Sequence, residues 1–162
     1  MKTGYFLLAI CYVLSSCTSS ETQKKIETMQ KRIDTLNAQM QKQKTDLGET
    51  MLGIQMHHQK LWFAGTAGNW PLAGYEVKEM QEAFELTQQI DNERPEVVNI
   101  KVIYPSLSTV KHAIEKKDME AFKAGYSDLT RTCNNCHRMG EVTFNNIIVP
   151  TVPPVSDQEF KP

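Results

Sequence analysis

The apolar residues of this chain recur at helical spacing over most of its length. Between residues 26 and 40 they follow alternating steps of three and four, the a/d seam of a heptad repeat. The seam consists of Ile26, Met29, Ile33, Leu36 and Met40. Polar and charged residues fill the positions between them. The pattern predicts a helical spacer over residues 17–47, either a short coiled coil that self-associates or a lone helix.

Four further amphipathic stripes occupy residues 48–139 and predict an all-α fold, an up-down four-helix bundle. The fourth stripe is the most regular. The inward positions are Leu47, Met51, Ile54, His58 and Leu61 in the first helix, Ala73, Val77, Met80, Phe84 and Thr87 in the second, Leu107, Val110 and Ile114 in the third, and Met119, Phe122, Tyr126, Leu129, Cys133 and Cys136 in the fourth.

Local signals set the expected helix ends. Asn69 is an expected N-cap with Pro71 in the first turn, Asp118 is a second N-cap, and Gly140 suits the end of the last helix. The β-branched run over residues 97–105 has no partner strand, so we expect an extended linker that covers the bundle.

A proline-rich tail follows the last stripe, over residues 140–162. Proline at this density predicts extended structure rather than helix. We expect the tail to pack on the bundle, because a free arm would expose Phe144, Ile147 and Ile148 together. A mobile C-terminal arm is the alternative.

The first sixteen residues have the form of a secretory signal peptide: one lysine, an apolar run and two serines before Cys17. The segment Leu14-Ser15-Ser16-Cys17 resembles the lipobox of bacterial lipoproteins. That resemblance implies that Cys17 is acylated and anchors the chain on the periplasmic side of a bacterial membrane. An ordinary cleaved signal with an incidental cysteine is the alternative.

The strongest chemical signal is Cys133-Asn134-Asn135-Cys136-His137, in the fourth stripe. Two cysteines three apart, followed directly by a histidine, are typical of a haem c attachment site. The two thiols would form thioethers, and His137 would be the proximal iron ligand. Cys133 and His137 lie about one helical turn apart, so both can face one macrocycle. A redox-active dithiol, a zinc site and a plain disulfide are weaker readings.

With haem at this motif, all four cysteines have an expected role, because Cys11 would leave with the signal peptide and Cys17 would carry lipid. None is left for a structural disulfide. The formal net charge is -1, which gives nucleic-acid binding no electrostatic support. The remaining partners are a membrane, reached through the lipid, and redox proteins.

Residues 114–123, leading into Cys133–Arg138, resemble the C-terminal half of the cytochrome c-prime superfamily. The resemblance covers roughly residues 48–138 and implies a four-helix bundle with one covalent haem near the end of its last helix. Two features depart from the family: the chain continues past the haem motif, and the first helix contains the pair His57-His58.

The resemblance also implies that the distal face of the iron comes from the first helix. The candidates are Met51, Met56, His57 and His58. Counting from the helix ends places Met51 nearest the level of His137, with His58 and His57 as alternative ligands and an apolar, open face as a further possibility.

The expected function is one-electron transfer by an exported, membrane-anchored monohaem cytochrome c, not an enzyme, because acid–base or nucleophilic residues form no readable cluster. The alternative is a protein that binds or senses diatomic gases (NO or CO) at an open distal site. A structural lipoprotein with a minor role for haem is a third hypothesis.

Overall fold

A computed structural model describes residues 20–42, 47–90 and 94–162. The chain divides into two compact units, residues 1–44 and 45–162. The predicted signal peptide with Cys11, and Cys17, the predicted lipid site, lie outside the described residues. In the described part of the chain, no helix is both long and apolar enough to cross a membrane.

The first unit contains one described helix, α1, over Ser20–Lys42. Its predicted seam residues Ile26, Met29, Ile33 and Leu36 are all exposed within this unit. The span of α1 confirms the prediction that this segment is helical.

The second unit is an all-helical bundle; the described residues include no strand. Its elements are α2 (Leu47–Thr66), α3 (Trp70–Ile90), α4 (Pro95–Val98), a 3₁₀ helix (Asn99–Ile103), α5 (Tyr104–Glu115) and α6 (Met119–Met139). The four long helices pack in a ring in which α2 contacts α3, α3 contacts α5, α5 contacts α6 and α6 contacts α2.

The predicted stripes supply most of the core. Nearly every predicted inward residue is buried or packs against the buried cluster, including all five from α3. At the end away from Cys133, the ring of Phe122 is enclosed by Trp62, Trp70 and Tyr126, with ring centroids 6.0 to 6.3 Å away. The aromatic cluster fixes how α2 and α6 pack together.

The predicted helix ends are confirmed. The side-chain oxygen of Asn69 accepts a hydrogen bond from the Leu72 amide at 3.2 Å, and α3 begins at Trp70. The Asp118 carboxylate accepts from the amides of Glu120 and Ala121 at 3.1 and 3.0 Å. Helix α6 ends at Met139 with Gly140 as its C-cap, as predicted.

The predicted extended linker over residues 97–105 is wrong. This segment is helical, passing through α4, the 3₁₀ helix and the start of α5. Val97, Ile100, Ile103 and Leu107 are all buried, at steps of three, three and four. That spacing places them on one face of a helix, and the burial of this face outweighs the strand preference of β-branched residues.

The tail over residues 140–162 packs on the bundle, as predicted, but only Ile147 of the three expected residues is half-buried. Phe144 and Ile148 remain 87% and 65% exposed. Further packing comes from Val149, Val155 and the buried Phe160, whose ring centroid lies 5.7 Å from that of Phe63. The Asn69 side chain also donates a hydrogen bond to the Lys161 carbonyl at 3.3 Å.

Candidate functional site

A cavity of about 570 Å³ opens between the start of α2 and the end of α6. Helix α3, the α4 segment, the 3₁₀ helix and the tail complete its walls. Cys133, Cys136 and His137 all line it, facing a space shared with Met51 and His58. The volume lies within the range of about 300 to 1,000 Å³ that is typical of cofactor and ligand pockets.

Both cysteines of the motif are free thiols. Burial, with a smaller contribution from Cys136, raises the pKa of the Cys133 thiol to about 12. Burial also raises the pKa of Cys136. Both thiols are therefore neutral near pH 7, whereas a reactive dithiol of the thioredoxin type depends on a lowered pKa.

The imidazole of His137 is held by the tail. Its Nδ1 lies 2.5 Å from the backbone carbonyl oxygen of Asn145. Because a carbonyl oxygen can only accept, Nδ1 must carry the hydrogen, and the neutral ring then has its lone pair on Nε2. This is the tautomer in which Nε2 can ligate a metal, with its partner nitrogen oriented by a second hydrogen bond.

His58 lies at the inner end of the cavity and is only 2% exposed. Its Nε2 is 3.0 Å from the hydroxyl of Thr130, and its Nδ1 is 3.0 Å from the hydroxyl of Tyr126. Burial lowers the pKa of His58 to about 4, so the ring is neutral. Each ring nitrogen already has a hydroxyl partner, which is the environment of a hydrogen-bonded core histidine.

His57 has a different partner. Its Nδ1 lies 2.6 Å from Oε2 of Glu76, whose side chain is 1% exposed. Neither His57 nor Met56 belongs to the residues that line the cavity. Of the four predicted distal candidates, the structure thus brings Met51 and His58 into the same cavity as His137.

Several lining residues were not predicted from the sequence to belong to the site, among them Met80, Arg94 and Glu96. Met80 was recognised only as a core position of the second stripe, although its buried side chain also borders the cavity. Arg94 lies at the N-terminus of α4 and Glu96 in its first turn, with 3.8 Å between Arg94 Nε and Glu96 Oε2. Their place at the cavity depends on the helical course of the segment that was predicted to be extended.

Across residues 20–42, 47–90 and 94–162, no three His, Cys, Asp or Glu side chains are grouped as a metal site. No protein-family model matches the chain, and neither a curated protein nor a solved structure matches it. The resemblance to the cytochrome c-prime superfamily stays a prediction.

Proposed function

We propose that this chain is an exported, lipid-anchored monohaem cytochrome c that transfers single electrons on the periplasmic side of a bacterial membrane. The observation that carries the proposal is the common cavity of Cys133, Cys136 and His137, facing Met51 across a space of about 570 Å³. The motif alone indicates covalent haem, and a cavity of suitable size beside it supports that reading.

The residues of the site fit the group. Cys133 and Cys136 would hold haem c through two thioethers, and His137 would ligate the iron through Nε2, the nitrogen left free by the contact with Asn145. When bound there, the haem supplies a ferric/ferrous couple. The surrounding bundle would be c-prime-like, with the attachment site near the end of α6.

We infer that Met51 is the distal ligand. Both nitrogens of His58 face hydroxyl groups, and His57 is paired with Glu76. Breaking either arrangement would leave a buried polar group without its partner, which costs about 1 to 3 kcal/mol. The thioether of Met51 lies at the half-buried start of α2 and has no such competing hydrogen bond to lose.

The chain contributes further to the site through its apolar walls and through Arg94. Ile54, Phe84 and Ile103 line the cavity and would exclude water from one face of the cofactor. Arg94, whose side chain is partly exposed at the cavity, would interact favourably with a haem propionate. Burial and axial ligation are the two features by which this protein would set the reduction potential.

The alternative function, binding of a diatomic gas, depends on the same distal side. If Met51 did not ligate, the nearby lining residues Ile54 and Phe84 could not ligate the iron either, because their side chains are apolar. The distal position would then be open to a gas molecule. Carbon monoxide binding to the reduced protein separates the two functions. Electron transfer with Met51 as a fixed ligand predicts a reversible one-electron redox titration and slow, weak binding of carbon monoxide. Fast, tight binding would favour the gas-binding function instead.

A further inference from the structure

The tail crosses the haem motif at a pair of hydrogen bonds. The side-chain amide of Asn134 donates to the carbonyl of Ile147 at 2.8 Å, and the Ile147 amide donates to Asn134 Oδ1 at 2.8 Å. Two residues earlier in the tail, the Asn145 carbonyl accepts the hydrogen bond from His137 Nδ1. One short stretch of tail is therefore bound by both Asn134 and His137.

The pairing depends on helix geometry. Asn134 and His137 are three residues apart in α6, so their side chains lie on neighbouring parts of one face. Asn135, the other residue between the cysteines, is exposed, and its side-chain oxygen accepts a hydrogen bond from Arg138 instead. Thioether formation requires neither asparagine, so the identity of residue 134 is free to serve another purpose.

Asn145 is held in place through its neighbours in the tail. The residue is exposed, and its own amide donates only to the nearby Val142 carbonyl, at 3.0 Å, within a local turn. Before Asn145, the Val142 amide donates to the His137 carbonyl at 2.9 Å, and after it, Val149 packs against the core. Between these two attachments, the double hydrogen bond with Asn134 at Ile147 is the side-chain contact that holds the tail beside His137.

We propose that Asn134 is a positioning residue for the proximal histidine. By clamping the backbone of Ile147, it keeps the Asn145 carbonyl on Nδ1 of His137 and so fixes the tautomer and orientation of that ring. This role rests on the proposed function as a haem c protein. An acceptor on Nδ1–H increases the electron donation of imidazole through Nε2, which favours the ferric state and lowers the reduction potential.

The test compares Asn134→Ala with Asn135→Ala, two variants that both keep the cysteines and His137. Two measurements are made on the haem-loaded proteins: hydrogen exchange at the Ile147 amide and the reduction potential. We expect Asn134→Ala to retain covalent haem, to speed exchange at Ile147 by about tenfold, and to raise the potential. Asn135→Ala should change neither quantity. Asn134→Asp, which keeps the acceptor for the Ile147 amide but loses the donor, should give an intermediate exchange rate at Ile147.

The outcomes separate the two proposals. Wild-type protein without covalent haem would contradict the proposed function and, with it, the positioning role. Haem-loaded Asn134→Ala with faster exchange at Ile147 but an unchanged potential would contradict the positioning role alone. Unchanged exchange at Ile147 would show that Asn134 does not hold the tail, and would also overturn the inference.

Discussion

The imidazole Nδ1 of His58 lies 3.0 Å from the hydroxyl oxygen of Tyr126, across a sequence separation of 68 residues. The same hydroxyl is placed to donate to the His58 backbone carbonyl at 2.8 Å, and the two rings stack with centroids 4.5 Å apart. This pair joins α2 to α6 at the wall of the candidate haem cavity, which His58 lines. Loss of the contacts between His58 and Tyr126 would therefore change the wall of the cavity.

The His58 environment predicts a loss of stability in mild acid. Burial holds the folded-state pKa at about 4, below the ordinary 6.5, so the unfolded chain takes up a proton first as the pH falls. The contribution of neutral His58 to the free energy of unfolding is complete above pH 6.5. It decreases between pH 6.5 and 4 and changes no further below that. Its full size is about 3 kcal/mol. Chemical denaturation at a series of pH values measures this dependence.

Two variants isolate the His58 contribution. His58→Gln should lower stability at pH 7.5 and flatten the decrease between pH 6.5 and 4. His112→Gln is the matched control, since His112 is exposed, and should leave the decrease intact. An equally steep decrease in His58→Gln would show that another group causes the acid sensitivity.

Gly65 is predicted to be intolerant of any side chain. A Cβ at this position would lie 2.1 Å from Cζ of Phe122, whose buried ring is enclosed by other aromatic rings. We expect Gly65→Ala to destabilise the protein by about 1 to 3 kcal/mol or more. Gly53→Ala, in the same helix with nothing within 4 Å of the added Cβ, should instead stabilise it by about 0.5 to 1 kcal/mol. Thermal unfolding of both variants measures the difference, and equal effects would contradict it.

The sequence predicts the helices of this protein well because the burial pattern is regular. The stripe from Phe122 through Tyr126 and Leu129 to Cys133 indicates both the helix and its buried face. The sequence wrongly predicts an extended segment from Val97 to Ile103, because its β-branched residues match strand composition. The burial of Val97, Ile100 and Ile103 shows that they form one face of a helix.

The candidate site was only partly predictable for a similar reason. Cys133, Cys136 and His137 are identifiable from local spacing alone. The contacts of His137 with Asn145 and of Asn134 with Ile147 depend on where the tail runs, which local sequence does not specify. The partners of His57 and His58 likewise lie on other helices, at Glu76, Tyr126 and Thr130.

Helix α1 is predicted to pair with a second copy of itself in parallel. Ile26 and Ile33 occupy heptad positions a, and Met29 and Leu36 occupy heptad positions d. This arrangement favours a parallel coiled coil of two helices. Lipid on Cys17 of both copies would require the same orientation. Sedimentation of residues 18–162, made without lipid, should show a concentration-dependent dimer that Leu36→Glu abolishes. Ala38→Glu, on the outer face of α1, should leave the dimer intact; loss of dimer in both variants would argue against a specific seam.

Met51 is predicted to give the oxidised protein the weak far-red absorption band of methionine-ligated low-spin haem. Met51→Ala should lose this band and gain rapid carbon monoxide binding in the reduced state. Met56→Ala is the control, because Met56 does not line the cavity. A high-spin spectrum in the wild type, or a band that survives in Met51→Ala, would contradict ligation by Met51.

The most direct test of the haem assignment is the mass of the purified chain after expression in a bacterium with haem c maturation enzymes. The motif at Cys133, Cys136 and His137 predicts the added mass of one haem, resistant to acidic solvent extraction, with the alkaline pyridine spectrum of a haem bound by two thioethers. Cys133→Ala/Cys136→Ala should carry none. A wild-type chain of unmodified mass, or haem that extracts freely, would contradict the assignment.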